Sequence, residues 1–178
     1  MLAISGGKVS FKDRLRVPIV GVIWRDTIFE KCFVSYSETD PKPDNITSIL
    51  KNIVEDTYFK EKQIKLVLLF NSILAGLGIL DLHSLEKTWN VPILVITEEK
   101  PDIIKIEKLL QKLHCEDTYY TVLRKNPAHW IKQVGTRVNF LAIGLNETDA
   151  LAIIKNLQMV GDIPEPLRIA DIIAKAIN

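Results

Sequence analysis

Residues 17–36 read VPIVGVIWRDTIFEKCFVSY, which is two apolar runs separated by a short polar link. The first run, 17–24, is rich in Val and Ile, and the second, 28–36, follows after the link Arg25-Asp26-Thr27. Runs of this composition joined by so short a connection are typical of a β-hairpin. The stretch therefore predicts two antiparallel strands early in the chain.

The hairpin is flanked by further apolar segments of strand and helix length. A short first strand is predicted at 2–5, ended by Gly6-Gly7. Continuous apolar runs predict buried strands, and apolar residues three and four apart predict helices. Strands are thus expected at 64–70, 92–97 and 138–145, and helices at 46–54, 80–88, 101–114, 150–157 and 164–177.

This order of elements indicates the class of fold. A three-strand antiparallel meander followed by alternating strands and helices predicts an α/β fold of the ribonuclease H-like kind. We expect a mixed five-stranded sheet, with the meander first and parallel strands after it, and helices on both faces. The alternative, a flavodoxin-like sheet, accounts poorly for the opening hairpin.

Composition sets further limits. The chain has 178 residues, of which 47% are hydrophobic and 25% charged, so we expect one globular domain over 1–178. A net charge of +1 gives no argument for nucleic acid or membrane. The start of the chain leaves no room for a signal peptide, and we expect a cytoplasmic protein. Cys32 and Cys115 are expected to be buried thiols, the alternative being a disulfide or a reactive thiol.

Three segments resemble a known family. Residues 164–171, PEPLRIAD, resemble the closing helix of the endonuclease V superfamily, above all the mainly archaeal domain-of-unknown-function family ninety-nine. Residues 67–82 resemble that family's apolar run followed by Asp-Gly-Ile-Thr, Ala-Gly-Phe-Asn and a later Asp, and residues 3–7 resemble its Gly-Ile-Asp-Asp-Gly start. The resemblance implies a ribonuclease H-like fold and Mg²⁺-dependent cleavage of nucleic acid.

This sequence departs from the family at the positions that the resemblance assigns to metal binding. Ser5-Gly6 stands where the family tends to carry Asp-Asp, and Phe70-Asn71 where it tends to carry Asp-Gly. Mg²⁺ prefers several carboxylate oxygens. We therefore predict neither catalytic residues nor metal ligands, and a cleft lined by Ser5, Gly6, Phe70, Asn71, Asp81, Glu165, Arg168 and Asp171.

The remaining acidic positions have structural interpretations as well as functional ones. Asp171 falls where endonuclease V-like proteins place a His or Asp near the metal. Asp81 matches a family aspartate and is expected to cap a helix. Glu165 and Arg168 are expected to form an ion pair on one side of the closing helix.

A basic segment follows the third predicted helix. From Thr118 to Asn146 there is no acidic residue, and aromatic residues are interspersed with basic ones. This pattern suits a phosphate backbone with stacked bases, although a core with a solvated charged face is the plainer interpretation. The predicted nucleic-acid-binding residues are Arg124, Lys125, Lys132 and Arg137.

Three hypotheses follow for function. The first is an endonuclease V-like protein without nuclease activity that binds nucleic acid or a protein partner. The second is an active nuclease with relocated ligands Asp13, Asp81 and Asp171, and it alone requires Mg²⁺ or Mn²⁺ as cofactor. The third is a structural or homo-oligomeric module with no nucleic acid role.

Overall fold

A meander of three antiparallel strands opens the fold, as residues 17–36 predict. In the computed structural model, β1 (Leu2–Gly6) pairs with β2 (Arg16–Arg25), and β2 pairs with β3 (Ile28–Glu38) through the predicted hairpin. Asp26 adopts a positive φ of 53° in the tight turn between β2 and β3, a conformation that Asp tolerates better than most residues. The structure describes residues 1–7, 16–38, 46–55, 64–74, 78–100, 102–112, 131–132 and 137–177.

The rest of the described chain alternates between helices and strands at the predicted places. The helices are α1 (Ile46–Val54), α2 (Leu82–Trp89), α3 (Ile103–Lys112), α4 (Glu147–Leu157) and α5 (Glu165–Ala176). The strands are β4 (Val67–Phe70), β5 (Ile73–Leu74), β6 (Gly78–Ile79), β7 (Ile93–Thr97), β8 (Ile131–Lys132) and β9 (Asn139–Ile143). The two-residue strands β5, β6 and β8 are too short for an apolar pattern to reveal.

The main sheet has the strand order β3-β2-β1-β4-β7-β9-β8 among the described residues. The mixed α/β arrangement is confirmed, with β1, β4 and β7 parallel. Two details of the prediction were wrong, because the sheet has seven described strands rather than five and β9 is antiparallel to β7. Both β7 and β8 run antiparallel to β9. The strands β7 and β8 are therefore parallel to each other, and β9 lies between them in the opposite direction.

Alternation along the strands divides the core into two clusters, one on each face of the sheet. The first contains Leu2, Ile4, Val67 and Leu69 and is covered by buried side chains of α1 and α2. The second contains Ala3, Leu68, Leu94 and Ile96 and is covered by α4 and α5. Helices on both faces, as predicted, thus bury the two sides of the central strands.

Two findings concern predictions made from composition. Cys32 lies exposed on β3, so the prediction of a buried thiol was wrong for this residue. It belongs to the edge strand, whose side chains α5 does not cover. Cys115 lies outside the described residues. Within the described part of the chain, none of the helices has the length and apolarity needed to cross a membrane.

Candidate functional site

The carboxyl ends of β1 and β4 lie side by side in the sheet. The parallel register pairs Ala3 with Leu68 and Ile4 with Leu69, so Ser5 falls beside Phe70. Ser5 comes two residues after Ala3, and Phe70 comes two residues after Leu68. Ala3 and Leu68 belong to the second core cluster, and residues two apart in a strand face the same side of the sheet. Ser5 and Phe70 therefore lie on the face of the sheet that carries α5.

Ser5 contacts the one carboxyl group that α5 brings to this point. The Ser5 Oγ donates a hydrogen bond to Asp171 Oδ1 at 3.3 Å, and the two residues are 1% and 9% exposed. The neighbouring turn of α5 packs through Leu167, Ala170 and Ala174, which fixes the helix against the sheet. Gly6 is half-buried and ends β1.

Lys175 completes a serine–aspartate–lysine cluster of Ser5, Asp171 and Lys175. Its Nζ lies 2.5 Å from Asp171 Oδ2 and donates to it, one helical turn further along α5. Ser5 and Lys175 thus engage different oxygens of the same carboxylate. Sequence reasoning missed Lys175, although its spacing of four residues from Asp171 on a helix is a sufficient signal for a pair.

Phe70 and Asn71 follow at the end of β4. Phe70 is half-buried and packs against the second core cluster, and its ring offers no oxygen ligand. Asn71 has a φ of 75°, and its backbone N–H donates to Ile96 O at 3.0 Å. Asn is among the few side chains that enter this left-handed region readily, and it stands here where the resembling family tends to carry Gly.

Asp81 is a helix cap. Its Oδ1 accepts a hydrogen bond from the backbone N–H of Ser84 at 3.0 Å at the start of α2, and its own N–H donates to Thr47 Oγ1. The predicted capping role is confirmed. Leu82 and Leu85 of α2 pack in the first core cluster, on the opposite face of the sheet from α5. Asp81 therefore belongs to the other side of the sheet from Asp171.

Glu165 and Arg168 form the predicted ion pair. The Arg168 Nε donates to Glu165 Oε2 at 2.8 Å, and Nη2 donates to Oε1 at 2.5 Å. These bonds lower the pKa of the Glu165 carboxyl below its ordinary value of 4.5, and burial opposes them without reversing the shift. Because Glu165 lies in the first turn of α5, the pair lies at the N-terminal end of the helix that carries Asp171.

Replacement of Glu165 by Gln is expected to destabilise the protein in a pH-dependent way. A carboxyl whose pKa is lower in the folded state contributes stability above its unfolded pKa and loses it as pH falls through the folded value. The variant should be about 1 kcal/mol less stable at pH 7, since the Arg partner is partly solvated. Below pH 4.5 the difference in the free energy of unfolding between the two proteins should become smaller. Urea unfolding of both proteins at pH 7 and pH 3.5 measures it, and an equal gap at both values would contradict the assignment.

A cleft of about 520 Å³ opens at the carboxyl ends of β4 and β7. Phe70 and Asn71 line one side, and the other side carries three acids and one lysine, Glu98, Glu99, Asp102 and Lys100. Asp102 is already engaged, because it accepts from the N–H of Lys105 and pairs with that lysine's amine. Sequence reasoning missed these acids, although they directly follow the predicted strand 92–97.

The predicted basic residues lie at the far edge of the sheet or outside the described part. Lys132 is in β8, and Arg137, which is exposed, precedes β9. The Arg137 backbone N–H donates to Asp162 Oδ2 at 3.3 Å. Arg124, Lys125 and Asp13 lie outside the described residues.

The donor set does not fit a divalent metal of the hydrolytic kind. Among the residues that the structure describes, no three His, Cys, Asp or Glu side chains are grouped so that they could hold a metal ion. At the position next to Ser5, Phe70 supplies an aromatic ring in place of a carboxylate. The two oxygens of Asp171 already accept from Ser5 and Lys175.

Comparisons with known proteins agree with this architecture. A UPF0215 protein of Thermococcus kodakarensis is 31% identical over 99% of this chain and 91% of its own length. A crystal structure of a protein of unknown function from Archaeoglobus fulgidus matches with a TM-score of 0.82 and 25% identity, covering 99% of this chain and 96% of that one.

Endonuclease V structures share the fold at lower identity. The catalytic domain of human endonuclease V gives a TM-score of 0.60 at 13% identity over 97% of this chain and 79% of its own. Endonuclease V of Ciona intestinalis, solved in complex with inosine-containing DNA, gives 0.57 at 12% over 97% and 82%. These likenesses confirm the ribonuclease H-like fold. The family model described as endonuclease dU matches residues 1–178, and the chain therefore belongs to that endonuclease V-like family.

Proposed function

We propose that this protein, although it belongs to the endonuclease dU family, binds nucleic acid and does not catalyse metal-dependent cleavage. The observation that carries the proposal is the state of Asp171, whose two carboxylate oxygens accept from Ser5 Oγ and Lys175 Nζ. A carboxylate engaged in this way has to break a buried hydrogen bond and an ion pair before it can bind a cation.

The charge of the cluster argues in the same direction. Mg²⁺ in two-metal hydrolysis is held by several carboxylates, which offset its charge and position the attacking water. Here the carboxylate of Asp171 is already neutralised by the ammonium of Lys175. A second cation at this place would be repelled by the first, and Phe70 on the adjacent strand supplies no compensating negative charge.

A nuclease with relocated ligands has weaker support. Asp81 and Asp171 belong to helices that pack on opposite faces of the sheet, and Asp81 is engaged as a cap. Two carboxylates so arranged do not form a common metal site. Asp13, the third member of that set, lies outside the described residues.

For nucleic acid we propose contacts at the β8–β9 edge rather than in the cleft. The acidic side of the cleft, with Glu98 and Glu99, repels a phosphate backbone, whereas Lys132 and Arg137 are basic. The Ciona intestinalis endonuclease V in complex with DNA supports nucleic acid as the class of ligand. Arg124 and Lys125, which lie outside the described residues, stay predicted nucleic-acid-binding residues from the sequence.

Two assays test this function. Oligonucleotides that carry inosine or deoxyuridine are incubated with the protein and millimolar Mg²⁺ or Mn²⁺, and we expect no products above background. Cleavage of the oligonucleotides by the unaltered protein that is lost in Asp171→Asn would contradict the proposed absence of nuclease activity. Gel shifts at rising salt should show binding that weakens as salt increases and is reduced at least tenfold in Lys132→Ala/Arg137→Ala. Lys105→Ala is the matched control, and absence of binding would favour a purely structural module.

A further inference from the structure

The loop between α4 and α5 presents two successive apolar side chains to solvent. Met159 and Val160 are 53% and 63% exposed, whereas Leu157 before them and Pro164 after them are buried. Single exposed apolar residues are common on protein surfaces, but here two adjacent ones lie at the tip of one loop. Neither belongs to the apolar cluster that α4 and α5 form with the sheet, so packing within the described chain does not account for them.

Contacts within the loop fix the position of these side chains. The Gln158 side-chain amide donates to the backbone oxygen of Asp162 at 2.5 Å, and the Gln158 backbone N–H donates to Ile154 O at the end of α4. Gly161 has a φ of 81°, which Gly adopts at little cost. Because the loop is ordered in this way, its tip can contact a ligand with little further loss of conformational entropy.

The same loop lies next to the proposed nucleic-acid-binding edge. The Arg137 backbone N–H donates to Asp162 Oδ2, and Arg137, which is exposed, comes two residues before Asn139. Asn139 pairs with Lys132 in the register of β8 and β9. The tip with Met159 and Val160 and the backbone positions of the two basic residues therefore come together where β9 begins.

We propose that Met159 and Val160 contact the faces of unstacked bases in nucleic acid that is bound through the neighbouring basic residues. The inference rests on the proposed binding of nucleic acid at the β8–β9 edge. The outside of an intact duplex carries hydrated phosphates, against which two apolar side chains gain nothing. Base faces are accessible where a strand is single or a pair is mismatched, and Met is among the side chains that proteins insert between bases. The loop thus favours such nucleic acid over an intact duplex.

Gel shifts with three DNAs test this preference, namely a single strand, a duplex with one mismatch and the intact duplex. Met159→Ser/Val160→Ser should bind the first two about tenfold more weakly than the unaltered protein does, because apolar contact area is lost. Its affinity for the intact duplex should be unchanged. The matched control is Ile28→Ser, at an exposed isoleucine on the opposite edge of the sheet, and it should bind like the unaltered protein.

The dependence of binding on salt distinguishes this proposal from the one on which it rests. The loop variant should keep the salt dependence of the unaltered protein, since neither residue contacts a phosphate. Lys132→Ala/Arg137→Ala should make the affinity fall less steeply as salt rises, because fewer counterions are released on binding. Circular dichroism of each variant establishes that it folds.

The fluorescence of 2-aminopurine placed beside the mismatch reports unstacking directly, because this base is quenched by its stacked neighbours. Saturating amounts of the unaltered protein should raise the fluorescence, whereas saturating amounts of Met159→Ser/Val160→Ser should not. An equal rise with both proteins, or equal losses of affinity for all three DNAs in the variant, would overturn the role of the loop. If the salt dependence still differs in Lys132→Ala/Arg137→Ala, the proposed binding edge stands without it. Absence of binding to any of the three DNAs would overturn both proposals.

Discussion

The triple variant Ser5→Asp/Phe70→Asp/Lys175→Ala is expected to bind Mn²⁺, whereas the unaltered protein is expected to give no heat with millimolar Mn²⁺ in calorimetry. The two introduced carboxylates lie on adjacent strands next to Asp171, and removal of the ammonium frees one oxygen of that residue. At a Mn²⁺ concentration one hundred times the dissociation constant, binding stabilises the folded state by about 2.7 kcal/mol. For a chain of this size we expect a rise of about 5–10 °C in Tm.

The matched control introduces Asn in place of Asp, because Asn has nearly the same shape but carries no charge. Ser5→Asn/Phe70→Asn/Lys175→Ala should show no stabilisation by Mn²⁺, because amide oxygens are poor ligands for this ion compared with carboxylates. Without metal, the Asp variant should melt below its Asn counterpart, since three clustered carboxylates repel one another. Equal stabilisation of the unaltered protein by Mn²⁺, lost in Asp171→Asn, would contradict the account of the site.

Replacement of Asp171 by Ala is expected to lower the free energy of unfolding by about 1–3 kcal/mol. The Ser5 hydroxyl is buried, and without its acceptor it carries the cost of an unsatisfied polar group. The Lys175 side chain is half exposed, so its amine can regain water and should contribute little to the loss. Urea unfolding at pH 7 measures the change.

A double-mutant cycle separates this hydrogen bond from other effects. Ser5→Ala removes the donor, so Asp171→Ala should cost less in that background, with a coupling of about 1 kcal/mol. Lys175→Met, which removes the charge but keeps most of the length of the side chain, serves as the comparison and should change stability by less than about 1 kcal/mol. Additive effects of Ser5→Ala and Asp171→Ala would mean that the two groups do not interact.

Most of the helices and long strands could be predicted from the sequence because the spacing of their apolar residues indicates which side of each element is buried. The hairpin of β2 and β3 and the closing helix α5 appear within a residue or two of their predicted ends. The direction of β9 could not be predicted, since a buried apolar run has the same composition whether its neighbour is parallel or antiparallel. The exposure of Cys32 could not be predicted either, because it depends on how far α5 reaches across the sheet.

The site was only partly accessible to such reasoning. The resemblance indicated the positions of Ser5, Phe70 and Asp171, because the strand ends and the closing helix carry recognisable motifs. It did not indicate that Lys175 pairs with Asp171, since a lysine near the end of a helix is also a common solvated residue. Nor could the sequence say that Asp81 and Asp171 lie on opposite faces, which requires the packing of α2 and α5.

The place of β1 in the middle of the sheet affects the nascent protein during translation. Its second neighbour, β4, is more than sixty residues further along the chain, so a ribosome-bound chain can complete only the meander of β1, β2 and β3 at first. Until residues 67–70 emerge, β1 has a bare edge, and apolar side chains such as Leu2 and Ile4 wait longer still for the cover that α2 provides. Intermediates of this kind aggregate readily, and the emergence of β4 removes one such hazard by pairing the bare edge of β1.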